Sequence, residues 1–573
     1  MAAMLGVKVT IVELLDAVAH SRPLDTVPGL SLPHSKGAPH RTAPRALLEQ
    51  LDELPFVMRY RKHAKHLGVP FIPLMASRGC WGSCSYCSIT SFYRDARAHG
   101  GGKTFRLRSP ENVADEMAVL WHDAGGPSIF CFHDDNFLLP RPADTLARVG
   151  AMRARLDELG VGRVGLIGKC RPECVTADLA RELRRLGVIR LYVGVENASG
   201  AGAEHLNRGA QAKHIHEALE ACREAGIFVC YNLLVFEPDA TIDDVRTNIA
   251  FIRAHANHPM NFCRAEPYHG TPLHRRLERD SNLGGSYLGW NYRIGDTRTE
   301  MLFRISSAVF RQRNFDPDGV ANRYMGLGYS MKLLEVFHEG PREVFDSLQR
   351  RASDLTRGIA METADFLEEA VALAAGADFG DTESLERRTA LLGLRISAAD
   401  GVWHRLLDDL YGDMNTYASG NAKPRVRVRP PARVIQLAQK MALGVSLAMY
   451  GIATEACSSV VVDPVPADVV DSGVDRYVVD PAPVDVVDPM DAAADRFIAD
   501  PPPPDAGRDV LPDYPLVDPA PWDSGVPVGA LETDTAAPRR LALIDQWRST
   551  TPEDSVRSRD LPLYSPPRIR LVS

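Results

Sequence analysis

FIPLMASRGCWGSCSYC, residues 71–87, runs an apolar strand directly into a glycine- and serine-rich loop carrying Cys80, Cys84 and Cys87. Its first half is apolar on both faces, a pattern that suits a strand covered on both sides within a parallel sheet. Five runs of the same kind follow: PSIFCFH from Pro127, VGLIG from Val164, VIRLYVGV from Val188, IFVCYNLLVF from Ile227 and MNFCRAE from Met260. Amphipathic helices are predicted between them, with clear boundaries. Ser109-Pro110-Glu111 sets a cap, a first-turn proline and an acid in order. Thr176 opens ADLARELRRLG, which stops at Gly187; AKHIHEALEACREAG stops at Gly226; Thr241 opens IDDVRTNIAFIRAH. Six strand–helix units predict an α/β fold, a partial (βα)6 TIM-like barrel, with an open doubly wound sheet as the alternative. Chemistry in such barrels gathers at the C-terminal ends of the strands. The three cysteines fall there.

Outside this core the chain changes character. Residues 1–70 hold one short amphipathic helix, Thr10 to Val18, and a proline-punctuated connector, too little for an α/β domain of their own. The core is expected over 71–285 and a mostly helical region over 286–455, with patterned stretches such as TEMLFRISSAVFRQ. Residues 456–573 form an acidic tail rich in Pro, Asp and Val, in which DRYVVDP at Asp475 recurs as DRFIADP at Asp495. That composition cannot bury a core and predicts a disordered tail. Tyr477, Phe497 and Trp522 leave open a docking arm or a fused peptide substrate, beside plain solvation.

Composition narrows the function classes. Between Ser458 and Gly525 there are 15 Asp against 3 Arg, so the net charge of −8 for all 573 residues leaves about +4 on the rest. No concentrated basic face argues for nucleic acid. The longest apolar stretch, Met441 to Ala453, is too short for a membrane span, and the first residues lack a signal-peptide pattern. A cytoplasmic location is the default expectation. Three of the ten cysteines sit within eight residues, a spacing that reads as metal binding or catalysis rather than a disulfide framework.

Three thiolates can ligate three irons of a cubane and leave the fourth open. Structural zinc would need a fourth ligand, for which His99 and Cys131 are candidates. Cys80-x3-Cys84-x2-Cys87, with Tyr86 before the last cysteine and a strand before the first, resembles the signature of the radical S-adenosylmethionine (SAM) superfamily. The resemblance covers about 71–275 and implies a [4Fe–4S] cluster held by Cys80, Cys84 and Cys87. It further implies SAM chelated to the open iron and cleaved reductively to a 5′-deoxyadenosyl radical, in a barrel of the radical SAM type. Asp134 and Asp135, in His133-Asp134-Asp135-Asn136-Phe137, resemble the part that meets the SAM amino group, in the form seen in the cobalamin-associated branch. By the same resemblance Glu196 would bind the ribose hydroxyls, Arg208 the SAM carboxylate, and Asn232 offers a further polar contact. The glycine-rich turn expected after the fifth strand is replaced by Phe236-Glu237-Pro238-Asp239-Ala240, while Gly270-Thr271-Pro272-Leu273 resembles the ending of the sixth unit.

Cys170 and Cys174 are expected in packing or on the substrate side. Cys131, Cys222, Cys230 and Cys263 are read as core, and Trp81, Trp290 and Tyr292 as packing aromatics. TIVELLDAV and PLDTVPGLSL resemble the last helix and exit linker of a cobalamin-binding domain. The Asp-x-His-x-x-Gly loop that would carry the corrin is not found in the sequence, which points to a start upstream of Met1 or a lost domain and leaves cobalamin open. The expected activity is radical chemistry, with C-methylation among the outcomes, on a small-molecule or peptide substrate, with a flavodoxin or ferredoxin as electron donor. The alternative is a non-catalytic iron–sulfur or zinc scaffold. No residue is singled out as catalytic.

Overall fold

The computed structural model describes residues 7–420, apart from 34–36, 58, 60, 61 and 379. Met441–Ala453 and the expected tail lie outside the described residues. Six parallel strands, β1 (Val69–Leu74), β2 (Ser128–Phe132), β3 (Val164–Cys170), β4 (Val188–Glu196), β5 (Phe228–Phe236) and β6 (Met260–Arg264), stand side by side in sequence order. A short antiparallel strand, Ala64–His66, flanks β1. A doubly wound sheet would reverse its strand order part-way along. This one never does, so right-handed crossovers place every connecting helix on the same face and the sheet wraps into a partial barrel. β1 and β6 are not paired with each other among the described residues.

The helices form where the capping residues predict. Ser109 Oγ accepts the Asn112 amide at the start of α2 (Pro110–Asp123), with α1 (Ser88–Gly100) before it. Thr176 caps α4 (Ala177–Leu186), which ends on Gly187 at φ 110°, after α3 (Pro142–Glu158). α5 (Ala212–Glu224), α6 (Ile242–Ala254, with a Thr241–Asp244 capping box) and α7 (Pro272–Arg279) complete the wrap. Their apolar stripes, including Met117, Met152, Leu183, Leu219 and Ile249, close over Phe130, Leu166, Leu191, Val193 and Leu233 on the outer face of the sheet. Burying such side chains supplies roughly 1.5–3 kcal/mol each before the entropy of ordering is subtracted.

Downstream come α8 (Thr297–Val309), α9 (Val320–Tyr324), α10 (Leu327–Phe337), α11 (Arg342–Ala375) and α12 (Thr382–Ala418). The long pair α11–α12 continues the helical layer beyond α6. Between them Arg313, fully buried, donates to Asp400 at 2.7 Å, Glu362 at 2.6 Å and Thr363 at 3.2 Å. α10 turns back into the barrel. Tyr329 and Leu333 pack on Val69, Ile129 and Ile189, at or near the starts of β1, β2 and β4, and this closes the N-terminal mouth. No described helix is long and apolar enough to cross a membrane.

The lumen above α10 is not filled. Tyr192, Gly194 and Glu196 alternate with buried Leu191, Val193 and Val195 along β4 and stay partly accessible. Cys131, Ile167, Lys169, Asn232 and Cys263 on neighbouring strands do the same. A packed barrel interior would bury these layers. Cys131 and Cys263 were expected in the core. They stand instead on this accessible face, because alternation along a strand places them opposite the helix-covered residues.

Candidate functional site

The cysteine loop lies across the C-terminal rim and is bolted down at both ends. Ser85 N–H donates to Leu206 O and Ser85 O accepts from Leu273 N–H, each at 2.9 Å, while Asn207 Nδ2 donates to Ser83 O at 2.8 Å. At its start Gly79 has φ 82° and packs so tightly on Thr104 O that a methyl group there would overlap it at 2.0 Å. Cys87 is the N-cap of α1, so its sulfur faces a helix N-terminus. Burial pushes the Cys80 thiol up to about 11 and also raises Cys87, where the Thr90 amide pulls the other way.

Two arginines converge on Cys84. Arg171 Nη1 lies 3.2 Å and Arg208 Nη1 3.7 Å from its sulfur. Arg171 also donates to Arg208 O and Glu173, and its guanidinium lies over the Trp81 ring at 4.9 Å. Trp81 Nε1 is fixed on Leu138 O at 3.2 Å. Sequence reasoning passed over Arg171, which lies between Cys170 and Cys174. Its partner Cys84 is 87 residues away, and no local pattern reports that contact.

Glu196 ends β4 at φ 65°, a left-handed conformation costing roughly 1–2 kcal/mol for a residue with a side chain. The turn aims its carboxylate into the lumen beside Tyr86 and Arg208. A methyl group at Gly194 would lie 2.8 Å from Arg208 Nη2 and 3.0 Å from Glu196 Oε1, so the missing side chain there lets the two approach. Burial pushes the Glu196 carboxyl up, against Arg208, Arg171 and the Tyr86 hydroxyl. Arg208 is 3% exposed; it donates to Gly194 O, and its Nε has no partner.

The two adjacent aspartates have separate jobs. Asp134 is 0% exposed, and both its oxygens are taken, one by Ala76 N–H at 3.0 Å and the other by the Ser77 hydroxyl. It positions the strand-to-loop turn and has no face toward the lumen, contrary to the expectation that it meets a ligand. Asp135 accepts the Gly79 amide at 3.1 Å with one oxygen and keeps the other. Asn136, 1% exposed, has neither amide atom hydrogen-bonded. Asn232 lies on β5 at the accessible lumen face. After β5 the glycine-free turn is closed by buried Glu237, which accepts the Asp239 amide and meets His205 Nδ1, each at 2.9 Å.

The donor set fits a cubane. Among the described residues the trio of His, Cys, Asp or Glu donor atoms drawn within 4.8 Å of one another is His205, Glu237 and Asp239. Three thiols on one loop, with no fourth ligand in the motif, suit three irons of a cubane rather than a closed tetrahedral zinc site. Nitrogen donors against Cys84 suit cluster-bearing thiolates. Unspent polar atoms on Asp135, Asn136, Asn232 and Arg208 leave partners for a polar cofactor.

Residues 74–252 match the Radical SAM superfamily. The chain carries a radical SAM domain. It is 27% identical over 270 residues to an uncharacterised methyltransferase of Pyrococcus horikoshii, covering 46% of this chain and 55% of that one. It is also 27% identical over 236 residues to the hopanoid C-3 methylase of Methylococcus capsulatus, covering 40% of each. The chain thus spans about half the length of these curated relatives. Among solved structures, the cobalamin-dependent SAM radical enzyme OxsB aligns over 71% of this chain and 67% of its own, at 14% identity and a TM-score of 0.46.

Proposed function

We propose that the chain is a radical SAM enzyme, with Cys80, Cys84 and Cys87 holding a [4Fe–4S] cluster and the lumen beneath it receiving SAM and a small-molecule or peptide substrate. The observation that carries this reading is the meeting of the three-cysteine loop, Arg171, Arg208 and the left-handed Glu196 at one end of a hollow barrel. Bound there, the cluster and SAM supply reductive cleavage and radical chemistry. The chain's own groups bind and orient. Arg171 and Arg208 bring positive charge against Cys84, which favours an anionic metal–thiolate assembly. The Trp81 ring under Arg171 shields that side from water. Asp135 offers its open oxygen to an ammonium, and Glu196 offers its carboxylate to ribose hydroxyls or an ammonium. Asn136 and Asn232 add neutral donors and acceptors.

The relatives' names favour C-methylation as the finer reading, and a flavodoxin or ferredoxin suits the need for single electrons. Anaerobic reconstitution of the full chain tests the core of the proposal. About four irons and four sulfides per chain are expected, with 5′-deoxyadenosine and methionine appearing from SAM on adding dithionite. Cys84→Ser loses both. Tight zinc without SAM turnover would instead make the protein a scaffold.

A further inference from the structure

We propose that Arg190, at the floor of the barrel lumen, seats a carboxylate of the substrate. The inference rests on the radical SAM reading for its chemistry, but the site stands on its own geometry. β4 carries an extra residue at its start: Leu166 aligns with Val188 and Ile167 with Arg190, skipping Ile189. Alternation along the strand sets Arg190 on the face shared with Tyr192, Gly194 and Glu196, about 20 Å of strand below Glu196 at 3.3 Å per residue, and the bulge brings Ile189 onto the same floor. α10 lies directly beneath.

Arg190 is 9% exposed, and its surroundings do not neutralise it. Nη2 donates to Cys230 Sγ at 3.2 Å, and the guanidinium lies 5.3 Å from the Tyr329 ring centre and 5.9 Å from that of Phe228. Among the described residues no carboxylate pairs with it. Cys131 and His66 also face it. Each is neutral near pH 7, since burial pushes His66 down to about 4 and Cys131 up to about 11. On the same floor the Tyr329 hydroxyl is buried without a hydrogen-bond partner. One layer higher Lys169, aligned with Tyr192, stands between Cys131 and the rim carboxylate Asp135.

A buried cation left unpaired is costly to fold around. A guanidinium with no carboxylate partner and an unpartnered hydroxyl beside it are what an incoming anion would complete. A planar carboxylate matches the guanidinium fork in two parallel hydrogen bonds. The aromatic walls from Phe228, Tyr192 and Tyr329 suit an apolar body behind it. A phosphate would call for more donors than this floor presents.

Calorimetric titration of the full, cluster-reconstituted chain with benzoate, benzamide and inorganic phosphate tests the proposal. Benzoate is expected to bind at least about tenfold tighter than its neutral isostere and tighter than phosphate. Arg190→Met should erase that preference and Arg190→Lys keep part of it. If Arg190→Met does not fold by circular dichroism, Tyr329→Phe should still weaken benzoate selectively. Equal binding of benzoate and benzamide, no binding of benzoate, a preference for phosphate, or an unchanged preference in folded Arg190→Met would each overturn the assignment. SAM cleavage on the same preparation reports separately. Benzoate selectivity without 5′-deoxyadenosine leaves the anion seat standing and fells the radical reading; the reverse fells only the seat.

Discussion

Arg313 in the helical layer and Arg190 on the barrel floor are both withdrawn from water, but only Arg313 is neutralised by protein. Asp400, Glu362 and Thr363 close around Arg313, and Trp403 Nε1 adds a bond to Glu362 at 2.6 Å. Arg190 has one thiol and two aromatic rings. The same division runs through the carboxylates. Burial raises all four carboxyls, Asp400 in the helical layer and Asp134, Asp135 and Glu196 at the rim, but only Asp400 is locked in an ion pair. A buried charge that closes on itself holds a fold together. One left open is waiting for a ligand, a proton or a neighbouring dipole.

The sharpest way to break this comparison is to remove the self-contained charge. Arg313→Met leaves Asp400 and Glu362 facing each other without a cation and should cost about 3–5 kcal/mol in chemical denaturation. SAM binding by the folded fraction should be unaltered. A loss well under that range would place the triad among ornamental ion pairs and blur the contrast.

A smaller effect is expected at Asp134, whose carboxyl is pushed up to about 6 by burial, against the Ser77 and Ala76 donors. The native state therefore holds the Asp134 proton more tightly than the unfolded chain does, where the value is near 4. Stability from this group is complete below about pH 4 and falls as pH rises through about 6, by at most ~3 kcal/mol. Asp134→Asn should flatten that decline in denaturation curves measured from pH 4 to 7. An unchanged slope would mean that other groups carry it.

The smallest stability effect is expected at Glu196. Replacing it by glycine relieves the left-handed backbone and should raise the denaturation midpoint by the equivalent of about 1 kcal/mol. The same variant should raise the KM for SAM about tenfold or more. Gains and losses of opposite sign at one residue would separate ligand binding from folding; a variant worse at both would make Glu196 a structural group.

Much of this was legible beforehand. Six apolar runs, the cap residues Ser109, Thr176 and Thr241, and the cysteine spacing are local signals, each set by neighbours a few positions apart. Sequential strand order needed coordinates, since apolar runs look the same in a doubly wound sheet. The rim residues divided similarly. Motif position alone set Asp134, Asp135 and Glu196 side by side as candidates. It could not say which aspartate turns to the backbone, because in a tight turn that depends on which carboxylate the Ala76 amide captures. Arg171 and Arg190 were invisible for another reason. Their meaning lies in partners 40 to 87 residues distant, and Arg190 sits inside a run whose apolar neighbours drew all the attention.

α10 also narrows the routes of traffic. With its N-terminal end stoppered by Tyr329 and Leu333, the barrel has no exit through its base. Whatever reaches that base enters from the cysteine-loop end or through the seam where β1 and β6 do not pair among the described residues. Steady-state kinetics separate the two routes: passage at the neck alone gives compulsory substrate-first binding with SAM retarding release, and passage through the seam gives random order.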